Sequence, residues 1–227
     1  MPEFDVNGET MEGYLALPER GHGPGVLVLH AWWGLTPFFK DVCERLAAEG
    51  FVAFASDRYG GRTAAPIEEA EALQRQREDQ VRTEAALVAS VAFLSAHEAV
   101  VGEGLGALGF SAGAAWALLL SVRKPDLLRA VVAFYGTGLW LQTEYSVARA
   151  AYLGHYAEVD EWEPVDEVRG TQEALRAAGC EVKFYTYPGV GHWFFEEDRA
   201  DHYDAEAARL AWERTVEFLR ARLGPNQ

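Results

Sequence analysis

Cysteine is nearly absent from this chain: Cys43 and Cys180 are the only two in 227 residues. Two thiols without metal-ligand or C-x-x-C spacing argue against a disulfide scaffold and against a cysteine-built metal or redox centre. Cys43 falls in an expected helix and Cys180 just before an expected strand, so both read as reduced structural thiols. Long hydrophobic runs are missing too. No stretch approaches the roughly 18 apolar residues of a membrane span. Glu3, Asp5, Glu9 and Glu12 interrupt the first turns of sequence, which argues against a signal peptide and leaves the cytoplasm as the expected compartment. Positive charge is scarce as well, with 20 Lys and Arg against 35 Asp and Glu, a net charge of −15. Nucleic acid and anionic membranes are poor partners for such a balance, because both need a cationic surface. Internal repeats, linkers and low-complexity tracts are also lacking.

What is present suits one globular α/β domain spanning residues 1–227, with 49% hydrophobic residues for its core. The segment Phe4 to Leu17 alternates around Asn7-Gly8 and reads as a β-hairpin. Gly25 to His30 is instead continuously apolar, the pattern of a strand covered on both faces. Thr36 and Pro37 read as N-cap and first residue of a helix reaching about Ala48, and Phe51 to Ala55 as the next strand. A polar helix follows Pro66 and another runs from about Gln80 to His97. Further strands are expected near 104–109, 129–135, 151–156 and 181–187, with helices near 112–123, 165–178 and 203–222. This order predicts a mostly parallel twisted sheet with an N-terminal antiparallel hairpin and helices on both faces.

Between the strand at 104–109 and its following helix stands Gly109-Phe110-Ser111-Ala112-Gly113, a G-x-S-x-G sequence. A serine on a sharp strand-to-helix turn is held in a strained conformation that exposes its hydroxyl, and flanking glycines avoid collisions with neighbouring backbone. A serine hydroxyl is a weak nucleophile, so it needs a base, and the base needs an orienting carboxylate. On an α/β-hydrolase sheet these follow in the order serine, acid, histidine. His192, in the glycine-rich stretch Tyr187 to His192 after the last strand, suits the base. His155 reads as a core histidine within a strand, and His202 as a capping or surface residue. Glu158, Asp160 and Glu161 all qualify as the acid by position, and the shorter Asp160 is preferred. An oxyanion hole needs two aligned backbone amides, expected from Ala112 and from Trp32, with Ala31 second. Trp33, Trp140 and Trp193 are candidates for an aromatic pocket wall. The residues single out neither a monomer nor a homodimer, and the two cysteines fit no metal-ligand spacing. The acidic runs Glu158 to Glu163 and Glu196 to Asp204 read mainly as solvated surface.

These residues resemble the dienelactone hydrolase family of α/β-hydrolases. The matching motifs are Leu29-His30-Ala31-Trp32-Trp33-Gly34-Leu35, Ser56-Asp57-Arg58-Tyr59, Gly109 to Gly113, Gly154 to Asp160, and Tyr187 to Phe194, within a span from about residue 11 to 222. The resemblance implies a lidless hydrolase of small esters or lactones without a cofactor, with Ser111, Asp160 and His192 as its triad. Three departures stand out. Members that cleave dienelactone typically carry a cysteine where this chain has Ser111, and a glutamate where it has Ala31. They also carry an arginine four residues past the histidine to hold the substrate carboxylate; Glu196 occupies that position and is expected to repel it. The expectation is therefore a serine esterase. Its rivals are a dienelactone hydrolase that recognises an anionic lactone through Arg58 or Arg62, and a non-catalytic binding protein on the same scaffold.

Overall fold

A strand that is apolar at every position has two cores to satisfy, because its successive side chains point to opposite faces. The computed structural model describes residues 2–6, 8–77, 79–138 and 141–224. Its first half runs β1 (Glu3–Val6), β2 (Glu9–Ala16), β3 (Gly25–Leu29), α1 (Pro37–Ala48), β4 (Val52–Ser56), α2 (Ile67–Arg77) and α3 (Gln80–Ala96). The second half runs β5 (Leu105–Phe110), α4 (Ala112–Arg123), β6 (Leu128–Phe134), β7 (Ala151–Val159), α5 (Val165–Ala177), β8 (Val182–Gly191) and α6 (Ala205–Leu223).

Val26 and Val28 of β3 face one apolar cluster, and Leu27 and Leu29 the other. β5 divides likewise, with Leu108 and Phe110 on the first side and Leu105 and Ala107 on the second. The first cluster is closed by Phe39, Val42 and Leu46 of α1 and Ala211 and Leu219 of α6. Leu87, Val91 and Leu94 of α3 and Trp116 and Leu120 of α4 close the second, with Leu175 of α5 at its edge. Each such large side chain, removed from water, contributes roughly 1.5–3 kcal/mol. Thr36 occupies the N-cap position of α1, but its side chain makes no capping hydrogen bond. The fixed φ of Pro37 starts that helix instead. Among the described residues no helix is long and apolar enough to cross a membrane.

The eight strands lie in the order β1-β2-β4-β3-β5-β6-β7-β8. β1 pairs antiparallel with β2, and β2 antiparallel with β4, while every pairing from β4 to β8 is parallel. Of the expected hairpin turn, Asn7 lies outside the described residues. β7 and β8 run further than the sequence suggests, and β8 takes in the glycine-rich Pro188 to Gly191. A register shift makes this possible: Ala157 pairs with Tyr187, and the next pair is Val159 with Gly191. The extra residues of β8 bulge outward, and Glu158 Oε2 accepts the Gly189 amide at 2.8 Å.

The chain leaves β3 on one side for β4 and later returns to its other side for β5. Connections therefore diverge between the carboxyl ends of β3 and β5 and open a crevice there. α4 starts against that crevice so tightly that a Cβ on Gly113 would collide with the Leu29 carbonyl oxygen, and one on Gly109 with that of Gly113. Gly113→Ala is expected to destabilise the fold by about 2–4 kcal/mol, read as a lower urea midpoint with an unchanged slope.

Candidate active site

Ser111 sits between β5 and α4 with φ 50° and ψ −118°, a backbone conformation that L-residues rarely adopt. Such strain costs about 1–3 kcal/mol and persists only when neighbours enforce it. Here the Ser111 amide donates to Phe134 O of β6 at 2.9 Å, and its carbonyl accepts from Ala114 and Ala115 of α4. Backbone fixed on both sides leaves the hydroxyl as the free end of the turn.

Val159 and Gly191 form the last pair of β7 and β8, so Asp160 and His192 leave adjacent strands one residue beyond it. His192 Nδ1 lies 2.8 Å from Asp160 Oδ2 and 2.9 Å from Oδ1, and its Nε2 lies 2.9 Å from Ser111 Oγ. Asp160 accepts hydrogen bonds only, so Nδ1 carries the proton and Nε2 accepts from the serine hydroxyl. Asp160 Oδ1 also accepts the amides of Trp162 and Glu163, each at 2.9 Å. Both side chains are 4% exposed. The Tyr135 ring packs against His192 at 4.8 Å.

The structure thus brings Ser111, Asp160 and His192 together and leaves the other candidates apart. Glu158 is engaged by Gly189, and Glu161 is exposed. His155 is buried between Tyr187 Oη at 2.8 Å and Thr215 Oγ1 at 3.0 Å, and burial lowers its pKa to about 3. His202 is exposed, its ring edge-on to Trp193.

A cavity of about 160 Å³ opens at Ser111, with Trp32, Ala112, Trp162, Glu163, His192 and Trp193 in its wall. The Ala112 amide, first in α4, has no partner inside the helix. The Trp32 amide makes no backbone hydrogen bond among the described residues. Trp193 lines the cavity, and Trp140 lies outside the described residues. Two expectations need correction. Trp33 is 1% exposed and does not reach the cavity; it packs between Trp32 and Trp193 with the Arg199 guanidinium 3.4 Å from its ring. Arg58 donates to His30 O at 2.7 Å and, with Arg62, lines a separate cavity of about 770 Å³ against α3 that shares no residue with the first. Of the two indoles in the loop after β3, Trp32 lines the serine cavity and Trp33 packs behind it, whereas Arg58 follows β4 and is held by the His30 carbonyl.

Glu196 also departs from expectation. It is fully buried rather than facing a substrate, and Tyr135 Oη donates to its Oε1 at 2.7 Å. Burial, with Asp198 nearby, pushes its carboxyl up to about 8. The carboxyl that does reach the cavity is Glu163, within the run that reads as solvated surface. Its side chain accepts the Thr137 hydroxyl, and burial pushes it up to about 7. The sequence does carry a signal for Trp162 and Glu163: they follow Asp160 by two and three residues at a strand's carboxyl end. Among the described residues no group of three or more His, Cys, Asp or Glu is arranged to hold a metal.

A parallel sheet with a strained serine at its switch point, joined by hydrogen bonds to a histidine and an aspartate beyond later strands, defines an α/β-hydrolase. The model of the dienelactone hydrolase family matches residues 11–223, and the chain belongs to that family. It is a hydrolase acting on carboxylic ester or lactone bonds. Among its relatives, Protein usf of Aquifex pyrophilus is 37% identical over 97% of both chains. A protein named as a candidate carboxymethylenebutenolidase in Aquifex aeolicus is 34% identical over 98% of both. The solved structure of a candidate dienelactone hydrolase from Klebsiella pneumoniae aligns with a TM-score of 0.82, at 26% identity over 96% of each chain.

Glu196 gives the fold a pH dependence of known sign. Its folded pKa of about 8 exceeds the unfolded value of about 4.3, so the folded state holds a proton that the unfolded chain releases. Stability from that proton is complete below about pH 4 and is lost as pH rises through about 8. Glu196→Gln keeps an acceptor for Tyr135 and removes the titration. Its urea midpoint is expected to fall less between pH 5 and 8.5 than that of the unaltered protein.

Proposed function

We propose that Ser111, His192 and Asp160 are the catalytic triad of a serine esterase for small carboxylic esters or lactones. The observation that carries this reading is the unbroken hydrogen-bond chain from Asp160 through His192 to a serine on a strained turn. His192 Nε2 takes the hydroxyl proton as Oγ attacks the carbonyl carbon, and the imidazolium so formed is stabilised by Asp160. The Trp32 and Ala112 amides bind the oxyanion, assisted by the positive end of α4. His192 then returns the proton to the leaving alcohol, leaving an acyl-enzyme. A water attacks the acyl carbon, giving its proton to His192, and the acid departs as Oγ is reprotonated. Serine with histidine suffices for this sequence, so no glutamate is needed at Ala31.

The reading takes residues 1–227 as one hydrolase domain in the cytoplasm, a compartment that suits the free thiols Cys43 and Cys180. A second reading, hydrolysis of an anionic lactone, is favoured by the name of the Aquifex aeolicus relative. Against it, neither Arg58 nor Arg62 lines the serine cavity.

Ser111→Ala is expected to keep the folded circular-dichroism spectrum and to lose about 10³-fold or more in kcat/KM on p-nitrophenyl acetate. Asp160→Asn, which favours the wrong tautomer, is expected to lose kcat on a similar scale. A fluorophosphonate should label Ser111 stoichiometrically. Turnover by Ser111→Ala at the unaltered rate would remove the assignment.

A further inference from the structure

Among the described residues of the cavity wall, Glu163 is the ionisable side chain that the ester chemistry does not use. We infer that Glu163, with the indole faces of Trp32, Trp162 and Trp193, forms a subsite that selects esters carrying an ammonium group over esters carrying a carboxylate. The inference rests on the reading of Ser111 as the nucleophile and adds the class of substrate.

Glu163 follows Asp160 by three residues and lines the same cavity as Ser111 and His192. The Thr137 hydroxyl and backbone amide hold its carboxylate. A carboxylate accepts about four hydrogen bonds, so acceptor capacity is left for a ligand. Beside it the three indoles touch one another in the cavity wall, with ring centroids 5.2 Å apart for Trp32 and Trp162 (edge-on), 5.6 Å for Trp162 and Trp193 (tilted), and 6.2 Å for Trp32 and Trp193 (stacked). Trp162 is 41% exposed and stands at the mouth. Indole faces carry negative electrostatic potential and attract cations, most strongly where water is displaced.

No lysine or arginine lines this cavity among the described residues. The groups acting on Glu163 are the carboxylates of Asp160 and Glu167 and the phenols of Tyr145 and Tyr156, and His192 lines the same cavity. An ammonium ion would neutralise a partly desolvated carboxylate; a substrate carboxylate would meet like charge in the same space. The net charge of −15 acts in the same direction at longer range. Burial holds the Glu163 carboxyl near pH 7, so the subsite is largely neutral at pH 6 and anionic at pH 8.

The test compares kcat/KM, by pH-stat, for three acetates of similar reach: those of choline, of 3,3-dimethylbutanol and of 3-hydroxypropanoate. At pH 8 the choline ester should exceed its neutral isostere by about fivefold to tenfold, with the carboxylate ester slowest. The cation-to-anion ratio should shrink at pH 6. In Glu163→Gln it should drop about tenfold at pH 8 and lose its pH dependence. A ratio within twofold of the unaltered enzyme in Glu163→Gln, or a flat ratio from pH 6 to 8 in the unaltered enzyme, would overturn the inference. So would failure to cleave any of the three acetates while p-nitrophenyl acetate turns over. The pH series needs no variant, so misfolding of Glu163→Gln leaves the test intact. Ser111→Ala separates the two readings: turnover that survives it removes the nucleophile assignment, whereas changes in the ratio alone concern the subsite.

Discussion

The site depends on one steric constraint, the close approach of α4 to the carboxyl ends of β3 and β5. Gly109 and Gly113 are the residues without a side chain where backbone meets backbone. Their smallness lets the chain reverse within one residue, and that residue, Ser111, carries the strain. The same approach sets the Ala112 amide beside the loop after β3 that supplies Trp32. Widening this contact by one methyl group would displace the start of α4 and its Ala112 amide and pull on Ser111, whose own amide is tied to Phe134 of β6.

Three carboxyl groups near the site illustrate how environment divides one chemistry into separate tasks. Asp160 receives two backbone amides and a histidine. Glu196 has lost its water and keeps the Tyr135 hydroxyl, so burial dominates and its proton is retained near neutral pH. Glu163 lies between these cases, partly desolvated and held by Thr137. In the proposed mechanism Asp160 orients the base. Glu196, through the tyrosine that packs on His192, belongs to the support behind it.

The chain's departures from the family pattern acquire a physical meaning in this setting. Ala31 is fully buried, and a serine paired with histidine asks for no carboxylate there. Glu196 does not repel an anionic substrate directly, since it faces the core rather than the cavity. In the proposed subsite a substrate carboxylate is disfavoured instead by Glu163, and neither Arg58 nor Arg62 lines the cavity wall.

Order along the chain was legible without coordinates: the hairpin, the alternation of strands and helices, the serine turn, and a histidine and acid at the ends of later strands. These are local matters of apolar periodicity and turn chemistry, which sequence spacing records directly. Pairwise choices were not legible. Glu158 and Asp160 are equivalent by position until the bulge in β8 hands one to Gly189 and the other to His192. Trp32 and Trp33 are equivalent by composition until the loop after β3 turns one inward. Glu163 and Glu196 both sit in acidic runs, yet burial differs because neighbours distant in sequence, Thr137 and Tyr135, reach them. The sequence by itself determined the fold class and the short roster of reactive groups. Only the tertiary structure decided which of them face the cavity and which lose their water, since both follow from contacts between strands that the chain separates by tens of residues.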